Sequence, residues 1–177
     1  TFAVGAAPEY CNADEGWGLK TFAPLPGDPE LSWHIIEGLV GEEFDVTTCQ
    51  ELQVDHATAV PVELLWPNQP VRPIKVVPIM VNTVQHPLPS ARRCLALGQA
   101  VGRAIASYPR DLKVVVLGTG GLSHQLDGER AGFINKEFDL MCMEKIVSDP
   151  EALTRYSIPQ LVELAGAQGV ELVNWLV

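Results

Sequence analysis

The chain has 177 residues, 47% of them hydrophobic and 19% charged, which is enough to bury a core of single-domain size. Twelve basic side chains against 22 acidic ones give a formal charge of -10, which repels a phosphate backbone, and Arg92 and Arg93 form the only adjacent basic pair, so nucleic acid is not expected as a partner. The longest apolar runs, such as 76–81, are too short to cross a bilayer, and no basic stretch leads into a hydrophobic one at the start, so neither membrane nor secretion is indicated.

In chain order, the opening "TFAVGAAPEYCNADEGWGLKTFAPLPGDPELSW" reads as a short apolar strand followed by a long Gly-, Pro- and Asp-rich surface loop. Asp28, Pro29 and Glu30 then supply a cap acceptor, a first-turn proline and a first-turn acid, which predicts a helix running to about Glu43. Val46, Thr47 and Thr48 favour a strand. The run "IKVVPIMVN" at 74–82 predicts a strand covered on both faces. Ser90 caps a helix with Cys94, Leu97, Val101 and Ile105 on its apolar face, and Pro109 ends it. "KVVVLG" reads as a second buried strand, so strand, helix and strand form a crossover suited to parallel pairing. Helices are expected over about 136–148, 159–165 and from near Gly169. The expected class is α/β, a mixed and partly parallel sheet flanked by helices.

Four cysteines, Cys11, Cys49, Cys94 and Cys142, lack any CxxC or other short metal-ligand spacing. Three lie in apolar or strand-like surroundings that suit reduced core thiols, so a cytoplasmic location is expected. The chain starts at Thr1 and stops within the hydrophobic pattern "ELVNWLV", and it is read as an internal piece of a longer protein, a single partial domain over 1–177 truncated at both ends.

Ligands of open α/β sheets gather beyond the carboxyl ends of strands, where "GTGGLSHQ" places His124. The stretch fails the GxGxxG pattern, because Ser123 follows Gly118 and Gly120, and it fails GxSxG, because Gln125 follows His124. On residues alone, a strain-relieving glycine turn with a locally bonded histidine explains it slightly better than chemistry does. His56 has Asp55 beside it to orient its imidazole, although a loop histidine at a strand end is the blander account. Glu171 is an acid inside an apolar segment: it suits a first-turn helix position, and as a partly buried carboxylate it would want a metal or a cation. His34 reads as a packing histidine and His86 as a turn residue. Arg130, Asn135, Lys136 and Glu137 can bind an anion, but capping and surface pairing explain each singly.

The stretch "GTGGLSHQLDGERAGFINKEFD" closely resembles the type III extradiol ring-cleavage dioxygenases of the gallate- and protocatechuate-cleaving branch. Further matches are "ADEGWG", "LSWHI", "EEFDVTTCQELQVDHATAVP", "SARRCLALG" and "GVELVNWL", so the resemblance covers essentially the whole chain. It implies an Fe(II) cofactor held by two histidines and a glutamate. Glu171 matches the glutamate ligand, and the two histidine ligands lie upstream of the segment that aligns with Thr1. His124 matches the acid/base histidine and His56 a second active-site histidine that positions substrate or protons. The implied reaction inserts O2 into the ring of a carboxylated catechol or trihydroxybenzoate. Implied partners are that aromatic carboxylate and O2, with a small alpha subunit or fused equivalent and an oligomeric assembly. A superfamily member with another catechol substrate, or a non-catalytic α/β scaffold module without the iron site, are the alternatives.

Overall fold

The computed structural model describes residues 1–15, 23–67, 69 and 73–177. These fall into two compact units, one of Phe2–Met80 with Ala104–Asp111, the other of Thr1, Val81–Arg103 and Leu112–Val177.

In the first unit, β1 (Phe2–Gly5) pairs in parallel with β4 (Val46–Cys49), in the register Phe2 to Val46 and Gly5 to Cys49. β6 (Ile79–Val81) lies on the other side of β1, giving the order β4-β1-β6. A second sheet has β2 (Glu9–Asn12) between β3 (Leu25–Pro26), antiparallel, and β5 (Gln53–Val54), parallel. The mixed, partly parallel character therefore matches the expected class. α1 (Pro29–Gly41) starts where the sequence places it, with the Asp28 carboxylate accepting from Leu31 N at 3.2 Å. Its Leu31, Ile35, Ile36 and Leu39 are buried, each contributing on the order of 2 kcal/mol through apolar burial.

The predicted strand over 74–82 is interrupted. Pro78 has no amide hydrogen to give a ladder, so it only accepts, from Gly5 N at 2.8 Å, while Val76 makes an isolated bridge to Gly27 and regular pairing begins at Ile79. An unpredicted helix, α2 (His56–Leu65), follows β5 and carries Pro61 in its interior.

In the second unit, α3 (Ala91–Ala106) begins with Ser90 Oγ accepting from Arg93 N at 3.2 Å, and its Cys94, Leu97 and Val101 are buried as the periodicity predicts. The end of α3 continues into the first unit. α4 (Lys136–Ser148), α5 (Pro150–Leu153), α6 (Ile158–Ala165) and a 3₁₀ helix (Gly169–Leu176) complete the unit. Phe138, Cys142, Leu153, Leu161, Leu172 and Val173 form its buried interior.

"KVVVLG" is not the buried strand that its composition predicts. It belongs to no ladder among the described residues, and Val115, Val116 and Leu117 are 70, 65 and 55% exposed. A β-branched apolar run favours extended backbone, but a strand also needs a neighbour for its N–H and C=O groups, and no described strand runs alongside it. The expected parallel crossover is therefore absent among the described residues. No helix there is long and apolar enough to cross a membrane.

Candidate functional site

The loop after this exposed run is held in place by polar contacts. Ser123 is buried, its hydroxyl donating to Asp139 Oδ2 at 2.7 Å and accepting from Asn135 N at 2.6 Å, while Ser123 N donates to Asp139 Oδ1 at 2.8 Å. Asn135 caps α4 by accepting from Phe138 N, and its amide also donates to Leu164 O at 3.0 Å. His124 is tied down at both backbone groups, donating from N to Ala165 O at 2.7 Å and accepting at O from Gly169 N at 3.2 Å. Spacing alone missed Ser123 and Asp139, which fold into one network across 16 positions.

The His124 ring is fixed as well. Its Nδ1 lies 2.8 Å from Leu122 O, and a carbonyl only accepts, so Nδ1 carries the hydrogen. In the neutral ring this leaves Nε2 with a free lone pair. Gly121 permits the arrangement: a Cβ there would sit 2.7 Å from His124 Cε1 and 2.9 Å from Nδ1. The same residue's amide donates to Glu171 Oε2 at 3.1 Å, and Gly120, at φ +133°, packs against Glu171 from a conformation that other residues rarely adopt. Two of the candidate residues, His124 and Glu171, are thus assembled around one glycine. Glu171 is half-buried between Val170 and Leu172, both buried. Asn174 Oδ1 and Trp175 Nε1, on the same 3₁₀ helix, are buried without a hydrogen-bond partner among the described residues.

His56 lies in the first unit, at the first position of α2. The carboxylate on its ring is not that of Asp55, as adjacency in sequence suggests, but that of Glu15, whose Oε2 is 2.6 Å from Nδ1. Glu15 Oε1 also accepts from His56 N at 2.9 Å, and Asp55 makes no side-chain cap bond.

The other candidates are structural. His34 Nε2 lies 3.0 Å from Ala104 O and 2.9 Å from Ser107 Oγ, with Tyr108 edge-on to its ring, which fits the expected packing role. His86 is exposed in the bend before α3. Arg130 donates to Val162 O and Glu163 O at the end of α6 and stacks over Phe133, so it satisfies helix carbonyls. Asn135 caps α4, and Lys136 and Glu137 occupy its first turn. A cleft of about 430 Å³ lined by Met141, Lys145, Arg155 and Tyr156 shares none of the His124 and Glu171 site's residues.

The donor set also bears on a metal. Among the described residues, the one cluster of three or more side chains with ligand atoms close enough to hold a cation is Glu15, Asp55 and His56. Glu171 is not in such a cluster, and His124 Nδ1 is already engaged by Leu122 O. The described residues around Glu171 therefore do not by themselves fit a complete mononuclear centre.

The model of the catalytic LigB subunit of aromatic ring-opening dioxygenases matches residues 1–177. Gallate dioxygenase of Pseudomonas putida is 42% identical over 165 residues, covering 93% of this chain and 48% of that protein. A 2,3-dihydroxyphenylpropionate/2,3-dihydroxicinnamic acid 1,2-dioxygenase of Mycobacterium ulcerans is 40% identical over 123 residues, covering 70% of this chain and 37% of that protein. The protein of the same name from Burkholderia vietnamiensis is 30% identical, with 70% and 39% covered. The chain thus spans about half the length, or less, of these curated relatives. With the match extending over every residue, the chain belongs to the family of the catalytic LigB subunit of aromatic ring-opening dioxygenases.

Proposed function

We propose that this protein takes part in extradiol opening of a carboxylated catechol or trihydroxybenzoate, gallate or protocatechuate, with Fe(II) as cofactor and O2 as co-substrate. The observation that carries this reading is the pair formed by the His124 imidazole, with Nδ1 held on Leu122 O, and the Glu171 carboxylate, held by the Gly121 amide. In the reaction one ring carbon–carbon bond breaks and both atoms of O2 enter the product, so no outside reductant is required.

In this reading Glu171 is the carboxylate ligand, and the remaining ligands come from outside the described residues. Bound Fe(II) would supply Lewis acidity that makes a phenol easier to deprotonate. His124 supplies the proton traffic. Its Nε2 lone pair accepts a phenolic proton, the Nδ1 hydrogen bond steadies the imidazolium so formed, and the same nitrogen returns the proton as the ring opens. His56 positions substrate or protons. A small alpha subunit or its fused equivalent, and an oligomer, are the partners of this reading.

A second reading, ring opening of a catechol with a longer acidic side chain, draws on the relatives named for 2,3-dihydroxyphenylpropionate. Anaerobic Fe(II) reconstitution of the full-length protein, then oxygen uptake with gallate, protocatechuate and 2,3-dihydroxyphenylpropionate offered separately, decides between them. Uptake with either hydroxybenzoate supports the first reading, and uptake only with the phenylpropionate replaces it with the second. Failure to hold iron would favour a non-catalytic scaffold.

A further inference from the structure

Glu15 and His56 lie 41 positions apart, yet both oxygens of one carboxylate are spent on one residue. Oε1 accepts from the His56 backbone amide at 2.9 Å and Oε2 meets the ring Nδ1 at 2.6 Å. The Glu15 side chain is 16% exposed and that of His56 60%, so a largely buried acid holds an accessible imidazole. The first of these bonds has a purely structural explanation, since His56 opens α2 and its N–H needs an acceptor that Asp55 does not provide. The second does not follow from capping. A carboxylate facing Nδ1 requires that nitrogen to carry the hydrogen, which fixes the neutral ring in the tautomer with Nε2 bare. Ring orientation is fixed together with it, because backbone and ring are gripped by the same rigid group.

Resting on the function proposed above, we infer that Glu15 is the positioning residue of His56: its carboxylate sets the tautomer and the angle at which His56 offers Nε2 to the substrate as a hydrogen-bond acceptor. A cation held by Glu15, Asp55 and His56 is the competing use of the cluster. The 2.6 Å separation argues against it, since two ligand atoms each about 2.1 Å from one cation stand roughly 3 Å apart. The hydrogen bond occupies the position where a metal would need room.

Glu15→Gln separates capping from tautomer control. The amide oxygen can still accept from His56 N, but its NH2 faces Nδ1 as a donor, so the ring should invert to the tautomer protonated at Nε2. The full-length protein is labelled with 15N at histidine, and the His56 ring signals are those lost in His56→Gln. At a pH above the ordinary histidine range, wild type should show a protonated Nδ1 and a bare Nε2, and Glu15→Gln the reverse. Turnover of the ring-opening substrate should fall by about 10- to 100-fold in kcat with little change in KM. Glu15→Asp, which keeps the charge, should keep the wild-type tautomer.

An unchanged His56 tautomer in Glu15→Gln overturns the inference, as does an inverted tautomer with undiminished kcat. A stoichiometric shift of the wild-type Nδ1 signal on adding Zn(II) alone overturns it in favour of a cation site. A wild type that opens no ring defeats the function reading, while the tautomer comparison still decides the Glu15 and His56 pair by itself.

Discussion

The Gly121 amide donates to Glu171 Oε2 at 3.1 Å, while a Cβ on Gly121 would stand 2.7 Å from the His124 ring. One residue therefore holds the proposed metal ligand and leaves room for the proposed base. Gly121→Ala keeps the backbone amide but drives a methyl into Cε1 and Nδ1 of His124. The ring must swing off Leu122 O, and a displacement of this size costs on the order of 100-fold in rate. Steady-state turnover should drop accordingly while the far-UV circular dichroism is retained; full turnover would show that the ring's position is immaterial.

His124 and Glu171, although assembled around one glycine, should fail in different ways when replaced. His124→Gln removes the proton acceptor and should lower kcat by roughly 10²- to 10⁴-fold with iron still bound. Glu171→Gln should lose iron occupancy, because a neutral amide is a poor ligand for a divalent cation. Iron content measured beside turnover separates the two roles. A Glu171→Gln protein with full iron would take that residue out of the ligand set.

The loop's stability should depend on Ser123. Its hydroxyl donates to Asp139 and accepts from Asn135 N, so Ser123→Ala leaves a carboxylate oxygen and a backbone amide short of partners. A loss of about 1–3 kcal/mol is expected in urea unfolding. Asn135 N belongs to the residue that caps α4, so hydrogen exchange should also quicken in the first turn of that helix. An unaltered unfolding midpoint would mean that water replaces the hydroxyl at no cost.

Local chemistry was legible where one stretch of chain determines the outcome. Asp28, Pro29 and Glu30 announce α1, and α4 runs over the predicted 136–148 because Asn135 caps it and acids fill its first turn. The glycine turn with a locally bonded histidine was also readable, and the His124 ring does lie on Leu122 O two residues before it. What depends on distant partners was not. "KVVVLG" has a strand's composition but no partner strand among the described residues, and α2 hid behind Pro61, which usually argues against a helix interior. Adjacency offered Asp55 as a possible His56 partner, with a loop histidine at a strand end as the blander account, whereas the fold puts His56 at the start of α2 and supplies Glu15 from 41 positions away.

The buried cysteines link this packing to pH. Burial pushes the Cys94 thiol up to about 12 and that of Cys142 up to about 11, and it raises the Tyr10 hydroxyl in the same direction. In the unfolded chain thiols titrate at about 8.5, so below that pH both states hold their protons and no stability is lost. As pH rises from there towards the folded values, the unfolded chain releases protons that the folded protein keeps, and stability falls. The urea midpoint should therefore decline between about pH 9 and 11, and decline less steeply in Cys94→Ala, which removes one of the groups responsible. The same burial predicts the order of chemical modification. At pH 8 a thiol reagent should label exposed Cys11 in the folded protein and reach Cys94 and Cys142 only after unfolding. Rapid labelling of Cys94 in the native state would mean that the interior around α3 opens far more often than its packing implies.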